Sequence, residues 1–377
     1  MTQPASMTPF GSSDLESGAA AGPKIDMVRQ GSIIRFVLNR PKVLNAFDDD
    51  MRQFLATEIP RIARDPDVYV VVLMSSSLKA FCAGGDLRAL EAAQKTDMAK
   101  AKRYFADEYR LDWLLDCFSK PTMSLINGIC MGSGAGLSSY NTHRVAGENY
   151  KFAMPETAIG LFPDVGIGHV FAHMPWPIGL YLGLTGRAID RRDGLWLGLA
   201  THCISASRFE EILAALADAQ PIDTLLDRLH EQPGPGPLQD EKNLIEAFFS
   251  AGSLDEIIER LKTAPSPQKS WAGATLADLQ TRSPVSLRIT DRHIRLCRTL
   301  DLRACLTQDY RLACRCLEAA DFSEGVRAAL IDKDAQPRWQ PASLADVTPE
   351  MVAKYFAPLG EQELNLPTRQ EMQAARV

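Results

Sequence analysis

The sequence predicts an α/β layered core followed by a mainly helical C-terminal region, and three observations carry that prediction. Short β-branched runs alternate with segments of helical spacing over roughly residues 32–205. The run VYVVVLMSS (68–76) is continuously apolar, as in a strand buried on both faces of a parallel sheet. Beyond about residue 205 the strand-like runs stop, and helical segments near 207–230, 240–263 and 284–330 take over.

Taken in order, the first element is the strand-like SIIRFVLN (32–39), closed by the turn-prone Asn39-Arg40-Pro41. A helix follows from about Asp48, with Met51, Leu55, Ile59 and Ile62 at helical spacing, and Pro60 predicts a kink in it. The strand at 68–76 runs into a Gly-rich segment around FCAGGD (81–86); a long helical stretch then leads to the strand TMSLING (122–128). Parallel strands joined this way imply right-handed crossovers. EQPGPGP (231–237) reads as a linker between helical segments, and the arginine-rich last region ends in GVRAALIDKDAQPRWQP (325–341). The expected divisions are a disordered lead-in over 1–24, a core over 25–205, a helical region over 206–360 and a tail over 361–377.

The chain has 377 residues, 46% hydrophobic and 23% charged, enough for a large domain and a smaller one. Its net charge of -6 offers no general basic surface, which argues against nucleic acid as a partner. No apolar run approaches the ~20 residues that span a bilayer, so no membrane partner is expected. Residues 1–24 carry two acids and no arginine, matching neither a secretory signal nor a transit peptide, and a cytoplasmic location is expected. The eight cysteines show no CxxC pair and no zinc spacing; they read as reduced core thiols, and no metal site is expected. Cys314 and Cys316 form a CxC, but on a helix they point about 200° apart.

Two segments place glycines after apolar strands: Phe81-Cys82-Ala83-Gly84-Gly85-Asp86 and Asn127-Gly128-Ile129-Cys130-Met131-Gly132-Ser133-Gly134-Ala135-Gly136. Glycine permits unusual dihedrals and lets bare backbone approach a ligand, so two such loops together make an oxyanion hole. The second segment equally fits a helix whose small residues simply allow close packing. A dinucleotide fingerprint is a poorer match, because its third glycine is misplaced. Glu156 in Met154-Pro155-Glu156-Thr157 and Asp164 in Phe162-Pro163-Asp164-Val165-Gly166 are separated by apolar residues, with Gly160 and Pro163 allowing the chain to fold back. Both acids then face one cavity, desolvated enough for a carboxyl to be tuned toward use as a base. The competing reading has Glu156 and Asp164 as turn and helix caps. Glu108 stands on an apolar stripe with Tyr104, Leu111, Leu115 and Phe118, either lining a site or reaching water from the stripe's edge. No Ser/His/Asp triad stands out, since Ser133 lacks the first glycine of GxSxG, His143, His169 and His173 carry no motif, and His230 and His293 read as solvated.

Together NRPKVLNA (39–46), FCAGGDL (81–87), NGICMGSGAGLS (127–138) and MPETAIGLFPDVG (154–166) resemble the enoyl-CoA hydratase/isomerase, or crotonase, superfamily. With DFSEGVRAALIDKDAQPRW (321–339), the chain is similar to the 3-hydroxyisobutyryl-CoA hydrolase branch of valine breakdown, over roughly residues 27–356. The resemblance implies a crotonase-like ββα spiral core with a helical C-terminal region closing the site. It implies an acyl-CoA substrate, with coenzyme A as part of the substrate rather than a cofactor. It assigns the thioester oxygen to the N–H groups of Gly85 and Ser133, catalysis to Glu156 and Asp164, and substrate contact to Glu108, Gly84, Asp86 and Gly132. The family usually has glycine where Ser133 stands; the role belongs to the main-chain N–H, but a side chain there narrows the acyl pocket. Hydratases of the superfamily place a second glutamate where this chain has Gly136, which favours thioester hydrolysis over hydration. Hydratase or isomerase action and silent acyl-CoA binding are the alternatives. Arg40 and Lys42 are candidates for phosphate contacts, and a homo-oligomer is left open.

Overall fold

The computed structural model describes residues 22–175 and 177–377. The expected lead-in therefore lies outside the described residues up to position 21. Lys24, also assigned to it, is tied to the fold through Asp48 (2.7 Å) and Asp50 (2.5 Å).

Nine strands form two sheets among the described residues: β1 (Ile25–Gln30), β2 (Ile33–Leu38), β3 (Val70–Ser75), β4 (Ala80–Cys82), β5 (Thr122–Ile126), β6 (Ile129–Met131), β7 (His143–Ala146), β8 (Lys151–Ala153) and β9 (His202–Cys203). The larger sheet has the order β1-β2-β3-β5-β7-β9 and the smaller β4-β6-β8. Only the β1–β2 hairpin is antiparallel. The chain thus repeats one move. It runs up a strand of the large sheet, turns through glycine or a short loop into a strand of the small sheet, and returns through helix. This is the expected ββα spiral. The strand after Asn39 is as the sequence predicts: Val70, Val71, Val72 and Leu73 are all buried, because both faces of β3 are covered.

Asp48 caps the helix Asp49–Ala63 by accepting the Met51 N–H, and the helix runs through Pro60 to Ala63. The helix Met98–Cys117 then crosses the core and packs on the C-terminal helix Leu302–Glu318. The largest buried apolar cluster draws residues from both the α/β core and the helices beyond residue 237. A second, smaller cluster is closed by the helices Phe209–Ala217 and Ile222–Leu229 against the other face of the large sheet.

Three local expectations are corrected. The stretch 231–237 is docked rather than a free linker: Glu231 bonds Arg191 (2.9 Å) and the Ser205 N–H (3.0 Å), and Gly236 lies against Asp193, with no room for a Cβ. His293, expected solvated from its charged neighbours, is fully buried, because helices cover both sides of Pro284–Cys297. His230 is half-buried and accepts the Cys203 N–H at 3.1 Å. All eight cysteines are buried and free, as expected.

Candidate active site

The two Gly-rich segments meet where β4 and β6 pair side by side. Gly84 and Gly132 have φ values of +112° and +50°, a region open to glycine at little cost. A Cβ on Gly132 would sit 3.2 Å from Gly84 Cα and 3.2 Å from Glu156 Oε1. One on Gly85 would run into Tyr104 Oη and lie 3.3 Å from Ser133 Oγ. Gly84, Gly85, Gly132, Ser133 and Glu156 are therefore one constellation. Ser133 opens the helix Ser133–Ser139, and among the described residues neither its N–H nor that of Gly85 donates to a protein acceptor. Both N–H groups are therefore free to donate to a ligand oxygen.

The helix reading of the second segment also holds, in part. Gly134 and Gly136 are where close packing is required: a Cβ on Gly134 would strike the Cys82 carbonyl, and one on Gly136 would meet Asp112 Oδ1 at 2.6 Å and Val165 Cβ at 3.0 Å. A longer side chain at 136 has no space.

Glu156 follows β8 and opens the one-turn helix Glu156–Ile159, which Gly160 ends at φ +73°. Its side chain caps nothing. It is 7% exposed, and Oε2 has no hydrogen-bond partner among the described residues. Burial pushes its carboxyl up to about 8, with the Glu108 charge adding to the effect against its own backbone N–H. Asp164 caps nothing with its side chain either, since Gly166 holds the N-cap position of the helix Ile167–His173. Its Oδ2 accepts the Tyr109 hydroxyl at 2.8 Å. Burial raises its carboxyl well above the usual range; the charges of Glu156, Glu108 and Asp309 reinforce this and the Tyr109 bond opposes it. The fold-back through Gly160 and Pro163 therefore brings both acids into one buried field.

Glu108 does not reach water; it is 3% exposed. Burial raises its carboxyl, opposed by the Arg52 guanidinium and the Ser133 hydroxyl. Arg52 Nη1 is 3.9 Å from Glu108 Oε2, and its guanidinium lies 3.8 Å from the Tyr104 ring centroid. Asp86 points elsewhere. Its carboxylate caps the helix Leu87–Thr96 through the Ala89 N–H (3.3 Å) and pairs with Arg40 (3.2 Å). Arg40 is further engaged by Asp48 (3.2 Å) and the Ala46 carbonyl, whereas Lys42 is exposed. A cavity of about 200 Å³ is bounded by Tyr104, Asp86, Leu90 and Lys100, and neither Glu156 nor Asp164 lines it.

Four groups were missed in the sequence. Tyr109 and Arg52 carried no signal, because a tyrosine in an apolar helix and an arginine beside a buried methionine look like ordinary core and surface. Asp112 did carry one: it lies one turn beyond Glu108 on the same helix, is 2% exposed, and leaves Oδ2 without a hydrogen-bond partner among the described residues. Asp309 sits at the matching depth in the helix Leu302–Glu318, fully buried. No group of three or more His, Cys, Asp or Glu side chains among the described residues is arranged to hold a metal ion. Nor is any described helix long and apolar enough to cross a membrane.

Known proteins match the chain over most of its length. A family model described as enoyl-CoA hydratase/isomerase covers residues 33–356. The mitochondrial 3-hydroxyisobutyryl-CoA hydrolase of Gallus gallus is 41% identical over 348 residues, 90% of this chain and 90% of that protein. Its Homo sapiens counterpart is 37% identical over 354 residues, covering 91% of each. Among solved structures, a carnitinyl-CoA dehydratase from Mycobacterium thermoresistibile superposes with a TM-score of 0.86 at 32% identity, covering 91% of this chain and 99% of that one. An enoyl-CoA hydratase from Rhodobacter sphaeroides gives 0.84 at 35% identity, covering 91% and 100%. The hydrolase relatives are named as mitochondrial, which overturns the cytoplasmic expectation. That expectation rested on the composition of residues 1–24, which matched neither a secretory signal nor an arginine-rich transit peptide. With the crotonase-like core, the paired Gly-rich loops and a match across nearly the whole fold, the chain belongs to the enoyl-CoA hydratase/isomerase family.

Proposed function

We propose that this protein hydrolyses the thioester of a short 3-hydroxyacyl-coenzyme A, turning 3-hydroxyisobutyryl-CoA into 3-hydroxyisobutyrate and free coenzyme A in valine degradation. The observation that carries the reading is the Glu156 carboxylate: buried, without a hydrogen bond at Oε2, and set against Gly132 where the two Gly-rich loops meet. The names of the relatives supply the substrate.

The thioester oxygen lies on the N–H groups of Gly85 and Ser133, with Gly84 and Gly132 giving the backbone room to approach. Each donor stabilises the developing oxyanion by roughly 3 kcal/mol in comparable sites. Glu156 then attacks the carbonyl carbon to form a mixed anhydride that water opens, or takes a proton from water that attacks directly. Either way a C–O bond forms, the C–S bond breaks, and the coenzyme A thiolate leaves to be protonated. Asp164, held by Tyr109, binds the 3-hydroxyl, and Glu108 contacts the acyl part. Asp86 acts on the substrate only indirectly, by capping the helix Leu87–Thr96 that follows the first Gly-rich loop. The chemistry calls for no cofactor, since coenzyme A arrives as part of the substrate. Hydration is disfavoured because position 136 has no space for a second glutamate.

The test is thiol release from 3-hydroxyisobutyryl-CoA. Wild type is expected to release it and Glu156→Gln to be slower by roughly 10²–10⁴-fold, the usual value of a positioned base. Equal rates for the two overturn the mechanism. Loss of crotonyl-CoA absorbance without thiol points instead to a hydratase, and tight binding of intact esters to a non-catalytic carrier. Label in the Glu156 carboxylate after a single turnover in H₂¹⁸O identifies the anhydride route, opened by water at the glutamyl carbonyl, since a base acting on water puts label only into the product.

A further inference from the structure

Asp164 stands on an unusual turn. Val165, a β-branched residue, has φ +50°, and Gly166 follows at φ +73°. A β-branched residue in this region is strained by about 1 kcal/mol or more and persists only where its surroundings hold it. Three contacts do so here. The Tyr109 hydroxyl donates to Asp164 Oδ2 (2.8 Å), the Tyr140 hydroxyl donates to the Val165 carbonyl (2.5 Å), and the Gly166 N–H donates to Asp309 Oδ2 (2.7 Å).

The third contact comes from outside the α/β core. Asp309 lies on the helix Leu302–Glu318 and His293 on Pro284–Cys297, both fully buried, with His293 Nε2 2.7 Å from Asp309 Oδ1, although the ring N–H is not aligned on that oxygen. The imidazole is fixed in turn. It meets the Phe162 ring edge-on at 5.4 Å, Cys297 Sγ lies 3.6 Å from Nε2, and Gly168 leaves no room for a Cβ, which would be 2.6 Å from Nε2. Phe162 and Gly168 flank the turn on either side, so the pair grips the whole segment 162–168. A buried imidazole and carboxylate are costly to desolvate and would serve stability no better than apolar side chains of the same volume. Their gain lies in fixing a geometry.

We infer that Asp309, packed against His293, is a positioning residue that holds the Asp164-Val165-Gly166 turn so that the Asp164 carboxyl faces the reacting acyl group. The C-terminal helical region thereby sets the active-site geometry through one main-chain hydrogen bond. The inference rests on the proposed hydrolase reading for its kinetic readout, but not for its structural one.

Asp309→Ala is expected to lower kcat about 30-fold with KM within threefold of wild type, as fits a displaced catalytic group. Asp309→Asn, whose amide oxygen still accepts the Gly166 N–H, is expected to recover kcat to within about fivefold of wild type. If Asp309 acts only through Asp164, the double variant Asp164→Asn/Asp309→Ala is no slower than Asp164→Asn alone, whereas a general structural loss multiplies. Should Asp309→Ala fail to fold, His293→Gln carries the same comparison, with a kcat loss of roughly fivefold expected. An unchanged kcat in the folded variants, multiplied losses in the double variant, or an Asp164→Asn enzyme as fast as wild type each overturn the inference. Amide exchange over residues 164–168 is the readout independent of activity. It is expected to accelerate at least tenfold in Asp309→Ala, and unchanged exchange also overturns the inference. A wild type that releases no thiol while this exchange still accelerates would sink the hydrolase reading and leave the positioning role standing.

Discussion

At the scale of single residues, the site is governed by the cost of keeping charge out of water. Glu156, Asp164, Glu108 and Asp112 all have raised carboxyl pKa values with burial as the first cause. In the proposed mechanism Glu156 acts in its ionised form, which a carboxyl held near 8 reaches only as the pH rises through that value. The kcat/KM for thiol release is therefore expected to climb with an apparent midpoint near pH 8. The Glu108 charge helps hold Glu156 up, so Glu108→Gln is expected to move that midpoint to lower pH; a midpoint that stays or rises contradicts the assignment. Asp112 touches Gly136, and its Oδ2 has no hydrogen-bond partner among the described residues. Its folded pKa lies above the unfolded one, so whatever stability it lends is present at low pH and lost as the pH rises. Asp112→Asn is accordingly expected to raise Tm at pH 8 by roughly 2–4 °C, with the gain shrinking toward pH 4; melting curves at the two pH values decide it.

At the scale of elements, the helix Ser133–Ser139 and the turn 156–166 show how packing and chemistry share residues. The small residues of the helix were legible as either close packing or an oxyanion loop, and the structure shows both settings: Gly134 and Gly136 pack, while Gly132 lies against Glu156 and the Ser133 N–H has no protein acceptor among the described residues. Gly136→Glu, which restores the hydratase pattern in sequence alone, is expected to lower Tm by several degrees and yield no hydration of crotonyl-CoA, because Asp112 and Val165 fill the space. The turn is clasped from the C-terminal side by the Ser283 N–H on the Thr157 carbonyl (3.0 Å) and by Gly160 against the backbone of Asp321. Ser283 also donates its hydroxyl to Asp321 Oδ2 (2.6 Å) and caps its own helix at the Ser286 N–H (3.1 Å), all buried. Ser283→Ala leaves Asp321 short of a buried donor and is expected to cost about 2 kcal/mol in urea unfolding. A loss under 0.5 kcal/mol shows that the clasp does not depend on it.

At the scale of the whole molecule, the helices beyond residue 237 share one apolar core with the α/β layers, and several buried carboxylates favour their neutral forms. Their raised folded pKa values make stability fall as the pH rises through them. Tm is thus expected to be lower at pH 9 than at pH 6, and a flat or rising profile rejects this. Sequence alone determined the alternation of strand and helix, the buried β3 run and the two Gly-rich loops. Each of these is written in local periodicity or in a short motif, and local sterics and burial fix them without reference to distant residues. The sequence also pointed to the acids at 156, 164 and 108 while leaving open whether they are buried or cap turns and reach water. Only the tertiary structure decided that Asp86 caps a helix, that Asp112 fills the space beside Gly136, and that His293, read as solvated from its charged neighbours, lies against Asp309 beneath the Asp164-Val165-Gly166 turn. Those outcomes depend on which helix face meets which neighbour across more than a hundred residues, and a polar side chain reads the same in sequence whether packing leaves it in water or takes it out.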